Sequence, residues 1–354
     1  MKVKISDIAK KSGVSTGTVD RVLHKRGHVS PEKLELVEKA LKELNYEPNL
    51  LASFLAYKKS YVFAAIVPYF TDGSYWELAC KGIVKAANEL DKFKTKVELH
   101  HFNQYDINSF RDAANAVLEQ DYDGVIMATL FENPILQLSQ KLDERDIPYI
   151  YLDSDIPNQN NLAYFGSDTY VSGRIAGRIL LTTSSNMQTI FFAHIKFKYA
   201  DISVQMRNRE RGIMDYLNDN GYQGVIEHIE IDPDNHLEGL QKLTQLLENS
   251  NYSVGGIVLN SRFYELAKVI HLLPKHLKDK LYLIGHDAIS ENIKALKNND
   301  VRFLLSQRTD LQGYEAVKAL GDFLIFKEQP EKLNYMPIDI VISENVDYYY
   351  NTNK

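Results

Sequence analysis

Polar and aromatic side chains that could bind a small polyhydroxylated molecule follow several apolar runs in the long C-terminal part of the chain. Carboxylate, amide and guanidinium groups pair with hydroxyl groups, and aromatic faces stack on the C–H face of a sugar ring. If the apolar runs are parallel strands, these side chains gather beyond the carboxyl ends of the strands, where such sheets bind ligands. A single polar residue in a loop would not indicate a binding site, but here several predicted strand ends carry such residues. The candidate binding residues are Tyr75, Trp76, Asp153, Arg209, Asn260, Ser261, Asp287 and Gln307.

A second set of residues, close to the N-terminus, could contact DNA. Arginine is well suited to guanine in the major groove, and a helix that begins after Ser15 could hold a phosphate at its N-terminus. Asp20 could accept a hydrogen bond from cytosine, or it could pair with Arg21 or Lys25. His28 lies in the following loop, where contacts to the DNA backbone position a protein. The candidate DNA-binding residues of this segment are Ser15, Thr16, Gly17, Asp20, Arg21 and His28.

The elements that carry this second set are predicted to be three short helices. Ser6 is predicted to cap the first helix, and a glycine-containing break at residues 12–14 ends it. Ser15 is predicted to cap the second helix, and Ser30-Pro31 opens the third. Two short helices supported by a third are the arrangement of a helix-turn-helix, whose second helix enters the major groove. A generic three-helix cap on the larger domain is the alternative interpretation.

From residue 61 onward, apolar runs alternate with stretches of helical spacing. Such alternation is typical of parallel sheets covered by helices on both faces. Because the strands are too many for one compact sheet, the sequence predicts an α/β body of two doubly wound parallel-sheet lobes behind a small all-α head. The predicted strands are residues 62–67, 97–102, 124–128, 149–152, 188–194, 225–231, 255–259, 281–285 and 301–305. The predicted helices are residues 76–90, 108–119, 134–145, 209–220, 236–249 and 264–272.

The net charge of −6 hides a difference in sign between the two parts of the 354-residue chain. Residues 1–60 carry 12 basic and 7 acidic side chains, whereas residues 61–354 carry 29 and 40. A basic head on an acidic body indicates that only the head meets a polyanion such as double-stranded DNA. One cysteine excludes an intrachain disulfide framework. Because the sequence shows neither an apolar signal segment nor a run approaching ~20 apolar residues, we expect a cytoplasmic protein without membrane contact.

The N-terminal segment resembles the DNA-binding head of the lactose-repressor/galactose-repressor (LacI/GalR) family. The matching motifs are DIA, SGVS, TV-x-RVL, HVS, LNY-x-PN and A-x-x-LA. The resemblance implies a helix-turn-helix domain at residues 1–48 and a hinge helix with its linker at residues 49–60, which folds on operator binding. It also implies DNA contacts by Asn49, Ala52 and Leu55, with Leu55 as a wedge in the minor groove. Because such heads read symmetric half-sites, we expect a homodimer on a double-stranded DNA operator.

The body, residues 61–354, resembles the type 1 periplasmic binding proteins that this family uses as sensors. The matching segments are YIYLDSDIP, YFGSDTYVSGRIAGRIL, RERGIMDYL, LYLIGHDAISE and LLSQRTDLQGYEAVKAL. The resemblance implies an N-lobe of residues 61–165 and 308–336, and a C-lobe of residues 166–307 and 337–354. It further implies that a small-molecule effector bound between the lobes controls operator affinity.

The same resemblance implies roles for individual side chains and suggests a sugar or polyol as the effector. Tyr75 and Trp76 stand where paired aromatic residues sandwich a sugar ring. Ser154 stands where ribose binders usually carry arginine, which argues against ribose itself. The polar residues that the resemblance places on the ligand are Arg209, Asp287 and Gln307.

Two other classes of protein compete with the regulator. A sugar-modifying α/β enzyme fused to a DNA-binding head could use Asp153 and Asp287 as an acid–base pair, but hydroxyl binding explains both, and the sequence lacks phosphate-loop, dinucleotide, nucleophile-elbow and zinc-protease motifs. A secreted sugar-binding protein would not need the head. We therefore expect no enzyme activity, no cofactor and no metal. The basic segment of residues 194–200 could recognise a phosphate or an acid, but a solvated loop is the favoured interpretation.

Overall fold

The computed structural model describes residues 3–23, 29–44, 59–183, 186–196 and 203–349. The chain divides into two separate units, Met1–Lys58 and Lys59–Lys354. Each unit has an apolar core of its own.

The described part of the N-terminal unit consists of three helices, Ile5–Ser12, Thr16–Leu23 and Pro31–Glu43. Their apolar faces meet in a small core that includes Ile8, Val19 and Val37, all without solvent exposure. This packing leaves the opposite face of the second helix free for another function.

The predicted caps of the first two helices had different outcomes. The Ser15 hydroxyl accepts a hydrogen bond from the backbone N–H of Thr18 at 3.2 Å, which confirms the cap of the second helix. The prediction for Ser6 is wrong, because the first helix already begins at Ile5. The Asp7 carboxylate, which accepts from the Lys4 backbone N–H at 2.9 Å, supports that helix start instead. An acidic group in the first turn also interacts favourably with the helix dipole.

The described residues of the C-terminal unit form two six-stranded sheets with matching strand orders, β11-β5-β4-β3-β1-β2 and β12-β10-β9-β8-β6-β7. All pairs of the first sheet are parallel, whereas the edge strand β12 runs antiparallel to β10 in the second sheet. The strands are β1 Tyr61–Pro68, β2 Thr95–Phe102, β3 Gly124–Ala128, β4 Tyr149–Asp153, β5 Ala163–Gly166, β6 Thr189–Ile195, β7 Val225–Ile231, β8 Val254–Val258, β9 Leu281–His286, β10 Phe303–Ser306, β11 Leu333–Tyr335 and β12 Asp339–Val341.

The order of each sheet is that of a doubly wound fold, in which the chain leaves a central strand in both directions. The chain passes between the two sheets three times, after β5, after β10 and between β11 and β12. The helices of this unit are Tyr75–Leu90, Ile107–Leu118, Glu132–Asp143, Thr169–Thr183, Val204–Asp219, Leu237–Asn249, Phe263–His271, Lys275–Lys278, Ser290–Lys297, Thr309–Gly321 and Val346–Tyr349. Among the helices of the described ranges, none is both long enough and apolar enough to cross a membrane.

Beside each sheet, a glycine allows two neighbouring helices to pack with their backbones in contact. A Cβ on Gly173 would lie 2.0 Å from the carbonyl oxygen of Arg209. A Cβ on Gly82 would lie 1.9 Å from the carbonyl oxygen of Asp310. No side chain fits at such distances, so these glycines set the positions of the helices that follow Ser203 and Arg308.

Two boundaries differ from the sequence prediction in ways that affect the sites described below. The helix predicted to begin at residue 209 begins at Val204, because the Ser203 hydroxyl accepts from the backbone N–H of Met206 at 3.3 Å and caps it there. His194, predicted both as the last residue of a strand and as the first residue of a loop segment, lies inside β6, which continues to Ile195. The later part of that segment, residues 197–200, lies outside the described residues.

Candidate functional site

Two acidic residues occupy equivalent ends of the two sheets. Asp153 is the last residue of β4, and Asp287 directly follows β9. Both have positive φ, 79° and 64°, a conformation that aspartate tolerates better than most residues and that turns the chain sharply at the strand end. Both side chains are buried, with exposed fractions of 8% and 4%. The sheets therefore each contribute one buried carboxyl group to their carboxyl edge.

Hydrogen bonds tie each acid to its surroundings. The Tyr75 hydroxyl donates to the Asp153 carboxylate at 2.5 Å, and the Gln205 amide donates to the Asp153 carbonyl oxygen at 2.7 Å. The Gln307 amide donates to the Asp287 carboxylate at 3.1 Å, and its own carbonyl accepts from the Ser167 hydroxyl at 2.7 Å. Since Gln205 belongs to a helix of the second sheet and Asp153 to the first, the bond between them crosses from one sheet to the other.

Arg209 is buried in the same region, with 2% of its surface exposed. One terminal nitrogen donates to the carbonyl oxygen of Leu259 at 2.7 Å, but Nε has no hydrogen-bond partner within the described part of the chain. A buried guanidinium N–H normally has an acceptor, so this atom is available to a ligand oxygen. The positive charge lowers the pKa of both Asp153 and Asp287, which places all three groups within electrostatic range of one another.

Burial nevertheless dominates the electrostatics of the two acids. Burial raises the pKa of Asp287 to about 7, and the charge of Asp153 adds to this, whereas Arg209 and the hydrogen bond from Gln307 oppose it. Burial raises the pKa of Asp153 as well, against the hydrogen bonds from Tyr75 and Gln205. A carboxyl group that is neutral part of the time can both donate to and accept from a hydroxyl group.

A layer of buried polar residues behind the acids fixes the loops that carry them. His286 Nδ1 lies 2.8 Å from the carbonyl oxygen of Val258, and burial lowers the pKa of His286 well below its usual value. The neutral ring therefore donates from Nδ1. The Asn292 amide donates to three carbonyl oxygens, those of Ser261, His286 and Asp287, at 2.9 to 3.0 Å. Asn292 thus holds together the loops that follow β8 and β9.

The two aromatic residues adopt a geometry that differs from the predicted sandwich. The rings of Tyr75 and Trp76 have centroids 5.1 Å apart and planes at 88°. They pack edge to face on each other, so they offer no pair of parallel faces to a flat ring. The Tyr75 hydroxyl is instead committed to Asp153, and both rings are largely buried.

Asn260 and Ser261 lie in the loop that follows β8, and their hydrogen bonds support that loop. The side-chain oxygen of Asn260 accepts from the backbone N–H of Arg262 at 3.0 Å, and its side-chain nitrogen is 3.7 Å from the sulfur of Met206. Ser261 contributes its backbone carbonyl to Asn292. Both residues are half-buried.

Further contacts close the two sheets over this region. The Ser290 backbone N–H donates to the Gly73 carbonyl oxygen at 3.1 Å, and the Arg262 guanidinium lies 5.9 Å from the centroid of the Tyr105 ring. Gly73 and Tyr105 follow strands of the first sheet, whereas Arg262 and Ser290 follow strands of the second. These contacts join the loops of one sheet directly to the loops of the other.

The predicted binding residues included the two acids and Arg209 but not Gln205, His286 and Asn292. The only local signal for Gln205 was the Ser203 cap, which would have moved the predicted helix start to include it. Nothing in the local sequence distinguishes Asn292 from other asparagines on helices, because its role depends on contacts to residues up to 31 positions away.

On the N-terminal unit, the second helix presents its predicted DNA-binding residues to solvent. Ser15, Thr16, Gly17 and Arg21 are exposed, and Asp20 is half-buried. A Cβ on Gly17 would meet only the Ser15 hydroxyl, at 3.8 Å, so the start of this helix is open to a flat partner. The remaining predicted DNA-binding residues lie outside the described residues: His28, Asn49, Ala52 and Leu55.

Comparisons with known proteins agree with this two-part organisation. Residues 4–49 match the lacI family of bacterial regulatory proteins, and residues 63–328 match the periplasmic binding protein domain. The ribose operon repressor of Halalkalibacterium halodurans is 28% identical over 80% of both chains. A Bacteroides fragilis protein assigned to the LacI transcriptional regulators is 32% identical, with a TM-score of 0.75 over 82% of this chain and 100% of that one.

A third comparison covers nearly the whole chain. The lac repressor dimer, solved with operator and the anti-inducer ONPF, shares the fold with a TM-score of 0.61 and 21% identity over 96% of this chain and 98% of that one. These matches confirm the predicted head and two-lobed body, and they identify a sequence-specific DNA-binding transcription regulator, not an enzyme. The chain belongs to the lacI family of bacterial regulatory proteins and carries a periplasmic-binding-protein domain behind its helix-turn-helix head.

Proposed function

We propose that the chain represses transcription from an operator and that a neutral sugar or polyol, bound between the two sheets, controls its affinity for DNA. The observation that carries the proposal is the convergence of Asp153, Asp287 and the incompletely paired Arg209 in one buried region. Tyr75, Gln205 and Gln307 complete a set of donors and acceptors that suits hydroxyl groups. In this proposal Trp76, Asn260 and Ser261 line the same site.

The balance of charges favours a neutral ligand. Two carboxyl groups would repel an anion, and the guanidinium of Arg209 would repel a cation. A polyhydroxylated molecule can instead accept from Arg209 and donate to both acids. The ribose operon repressor among the relatives supports a pentose-sized ligand, although Ser154 stands where ribose binders usually have arginine.

On the DNA side, we propose that the helix Thr16–Leu23 enters the major groove with Arg21 on a base edge and Ser15 at a phosphate. His28, Asn49, Ala52 and Leu55 remain predicted contacts. A homodimer would read two half-sites, as the lac repressor structure is a dimer on its operator. A protein that acts in this way works in the bacterial cytoplasm.

The proposal assigns residues 1–48 to DNA binding, residues 49–60 to the hinge, and residues 61–354 to the sensor. Its lobes are residues 61–165 with 308–336, and residues 166–307 with 337–354. A ligand can shift DNA affinity only if it binds the two lobe arrangements with different affinity. The bonds from Gln205 to Asp153 and from Ser290 to Gly73 form only when the lobes are closed, so a ligand that bridges the acids favours closure.

The test is calorimetry on the full chain with D-ribose, D-arabinose, D-galactose, D-glucose, D-tagatose and xylitol. We expect saturable binding of at least one of them. Arg209→Met should weaken that binding roughly a hundredfold or more, since it removes a charged donor and leaves two buried acids without a counter-charge. Arg302→Met is the control, because Arg302 lies on the surface over the Tyr282 ring, and it should bind as the native chain does.

Two results would contradict the proposal. One is that none of the sugars or polyols binds while the chain still selects a defined operator from a random DNA pool. The other is that Arg209→Met and Arg302→Met bind the sugar equally well. The first result would still support the assignment as a transcription regulator, but it would contradict a sugar or polyol as the ligand.

A further inference from the structure

A second cluster of polar residues lies on the outer strands of the second sheet, away from the sugar site. β6 and β7 are parallel neighbours, and Phe192 pairs with His228 in their register. His194 is two residues beyond Phe192, so both histidines lie on the same face of the sheet. Their rings stack with centroids 5.2 Å apart and planes at 16°. His194 Nε2 is 2.9 Å from His228 Nδ1.

A carboxylate from the covering helix completes the cluster. Glu210 lies on the helix Val204–Asp219, and its Oε1 is 4.0 Å from Nε2 of His228. The three side chains each offer a ligand atom, and these atoms all lie within 4.8 Å of one another. The neighbouring residue Arg209 is buried in the sugar site, so one helix serves two separate regions.

Hydrogen bonding within the protein does not satisfy this cluster. A separation of 4.0 Å between Glu210 and His228 is too long for a hydrogen bond. His194 Nδ1 is shielded from solvent and has no hydrogen-bond partner in the part of the chain that the structure describes. Two facing imidazoles can share only one proton between their adjacent nitrogens. In either tautomer of the pair, therefore, one nitrogen lone pair has no donor from within the cluster.

The distances suit a bound metal ion. Zinc bonds to histidine nitrogen and carboxylate oxygen are ~2.0–2.2 Å long, so neighbouring ligand atoms in a tetrahedral site lie roughly 3.3 Å apart. The facing ring nitrogens of His194 and His228 are 2.9 Å apart, close to that spacing. One ligand atom from each of the three side chains lies within 4.8 Å of the other two, so small side-chain rotations would bring the Glu210 carboxylate to the same ion. Both His228 and Glu210 are partly exposed, with side-chain exposures of 51% and 27%, so an ion can enter from solvent.

We propose that His194, Glu210 and His228 bind one divalent transition-metal ion, with zinc as the best match to two imidazoles and one carboxylate. A water molecule, or Glu230, which pairs with His194 in the strand register, takes the fourth position. Magnesium and calcium fit this site poorly, because both ions prefer oxygen ligands to imidazole nitrogen. This proposal departs from the expectation from sequence that the chain holds no metal.

The test uses full-length protein without an affinity tag, freed of metals with a chelator and titrated with zinc chloride in a calorimeter. We expect one equivalent per chain, and cobalt(II) in its place should give the visible absorption of a tetrahedral site. His228→Gln and Glu210→Gln should each raise the zinc dissociation constant at least roughly tenfold. His271→Gln is the control, since His271 is an exposed histidine paired with Asp300 at 2.8 Å, and it should bind zinc as the native chain does.

Folding is monitored in the same samples by thermal unfolding without metal, and His228→Gln, at a half-exposed position, should melt close to the native temperature. Absence of saturable zinc binding in the native chain would overturn the proposal. So would zinc binding that persists unchanged in the His194→Gln/His228→Gln double variant. Both results are independent of the sugar titration, because none of the substituted residues belongs to that site.

Discussion

The two sheets of the C-terminal unit share one strand order but contribute different chemistry to the site between them. The first sheet supplies Asp153 together with the Tyr75–Trp76 aromatic pair. The second supplies Asp287 together with Arg209 and, through it, the positive charge. The common scaffold places an aspartate at the end of the fourth strand of each sheet, and the loops and helix starts beyond it decide what that aspartate contacts. The two equivalent aspartates therefore indicate where a ligand binds, whereas the residues that surround them decide which ligand binds.

The largest expected effect concerns the titration of Asp287, the buried acid that the second sheet contributes. In Asp287 the folded-state pKa of about 7 lies above the ordinary value of 3.8, so the folded chain binds this proton more tightly than the unfolded chain. The resulting stabilisation is complete below about pH 4 and is lost as the pH rises through about 7. The loss should be on the order of a few kcal/mol.

Asp287→Asn should remove this dependence. The stability of the variant relative to the native chain should therefore rise between pH 5 and pH 8. Asp153→Asn should act in the same direction, since burial raises the pKa of Asp153 as well. Urea unfolding of the three proteins across pH 4.5 to 8.5 measures this. Parallel stability curves for the native chain and Asp287→Asn would show that Asp287 does not titrate in this way.

The second comparison concerns the helix pairs that glycines hold together. Gly173→Ala and Gly82→Ala should each destabilise the chain by about 1–3 kcal/mol, because the new Cβ would overlap a backbone carbonyl. Gly173→Ala should weaken sugar binding more than Gly82→Ala does, since the carbonyl that it displaces belongs to Arg209. Denaturant unfolding and calorimetry on both variants separate the two effects. Equal sugar affinities in the two variants would mean that the position of Arg209 does not depend on this helix contact.

The smallest expected effect lies on the aromatic side of the site. Tyr75→Phe removes the donor to Asp153 and should cost about 1 kcal/mol, or roughly fivefold in sugar affinity. Tyr69→Phe is the matched control, because Tyr69 is exposed and stacks on His101 at the surface. The two variants are compared by the same calorimetric titration. If both lose affinity equally, the hydroxyl of Tyr75 has no specific role.

Much of the architecture could be predicted from the residues alone because its signals are local. The Ser15 cap and the break at Gly13 (φ 69°) follow from turn and capping chemistry. The long apolar strands β1, β3 and β6 are evident because both of their faces are covered. The short strands β11 and β12 escaped prediction, since three residues at a sheet edge show no clear pattern. Ser6 was misassigned because a carboxylate one position later supports an earlier start.

The sequence by itself determined which residue types stand at the strand ends, which segments are apolar on both faces, and that a basic helix-turn-helix precedes an acidic α/β body. The tertiary structure alone decided that Gln205 reaches across to Asp153 and that Tyr75 and Trp76 meet edge to face. It likewise decided that His194 and His228, 34 positions apart, lie in contact beside Glu210. The reason is physical: caps and periodicity depend on neighbours in the chain, whereas these contacts depend on strand register and helix packing, which the folded chain sets as a whole.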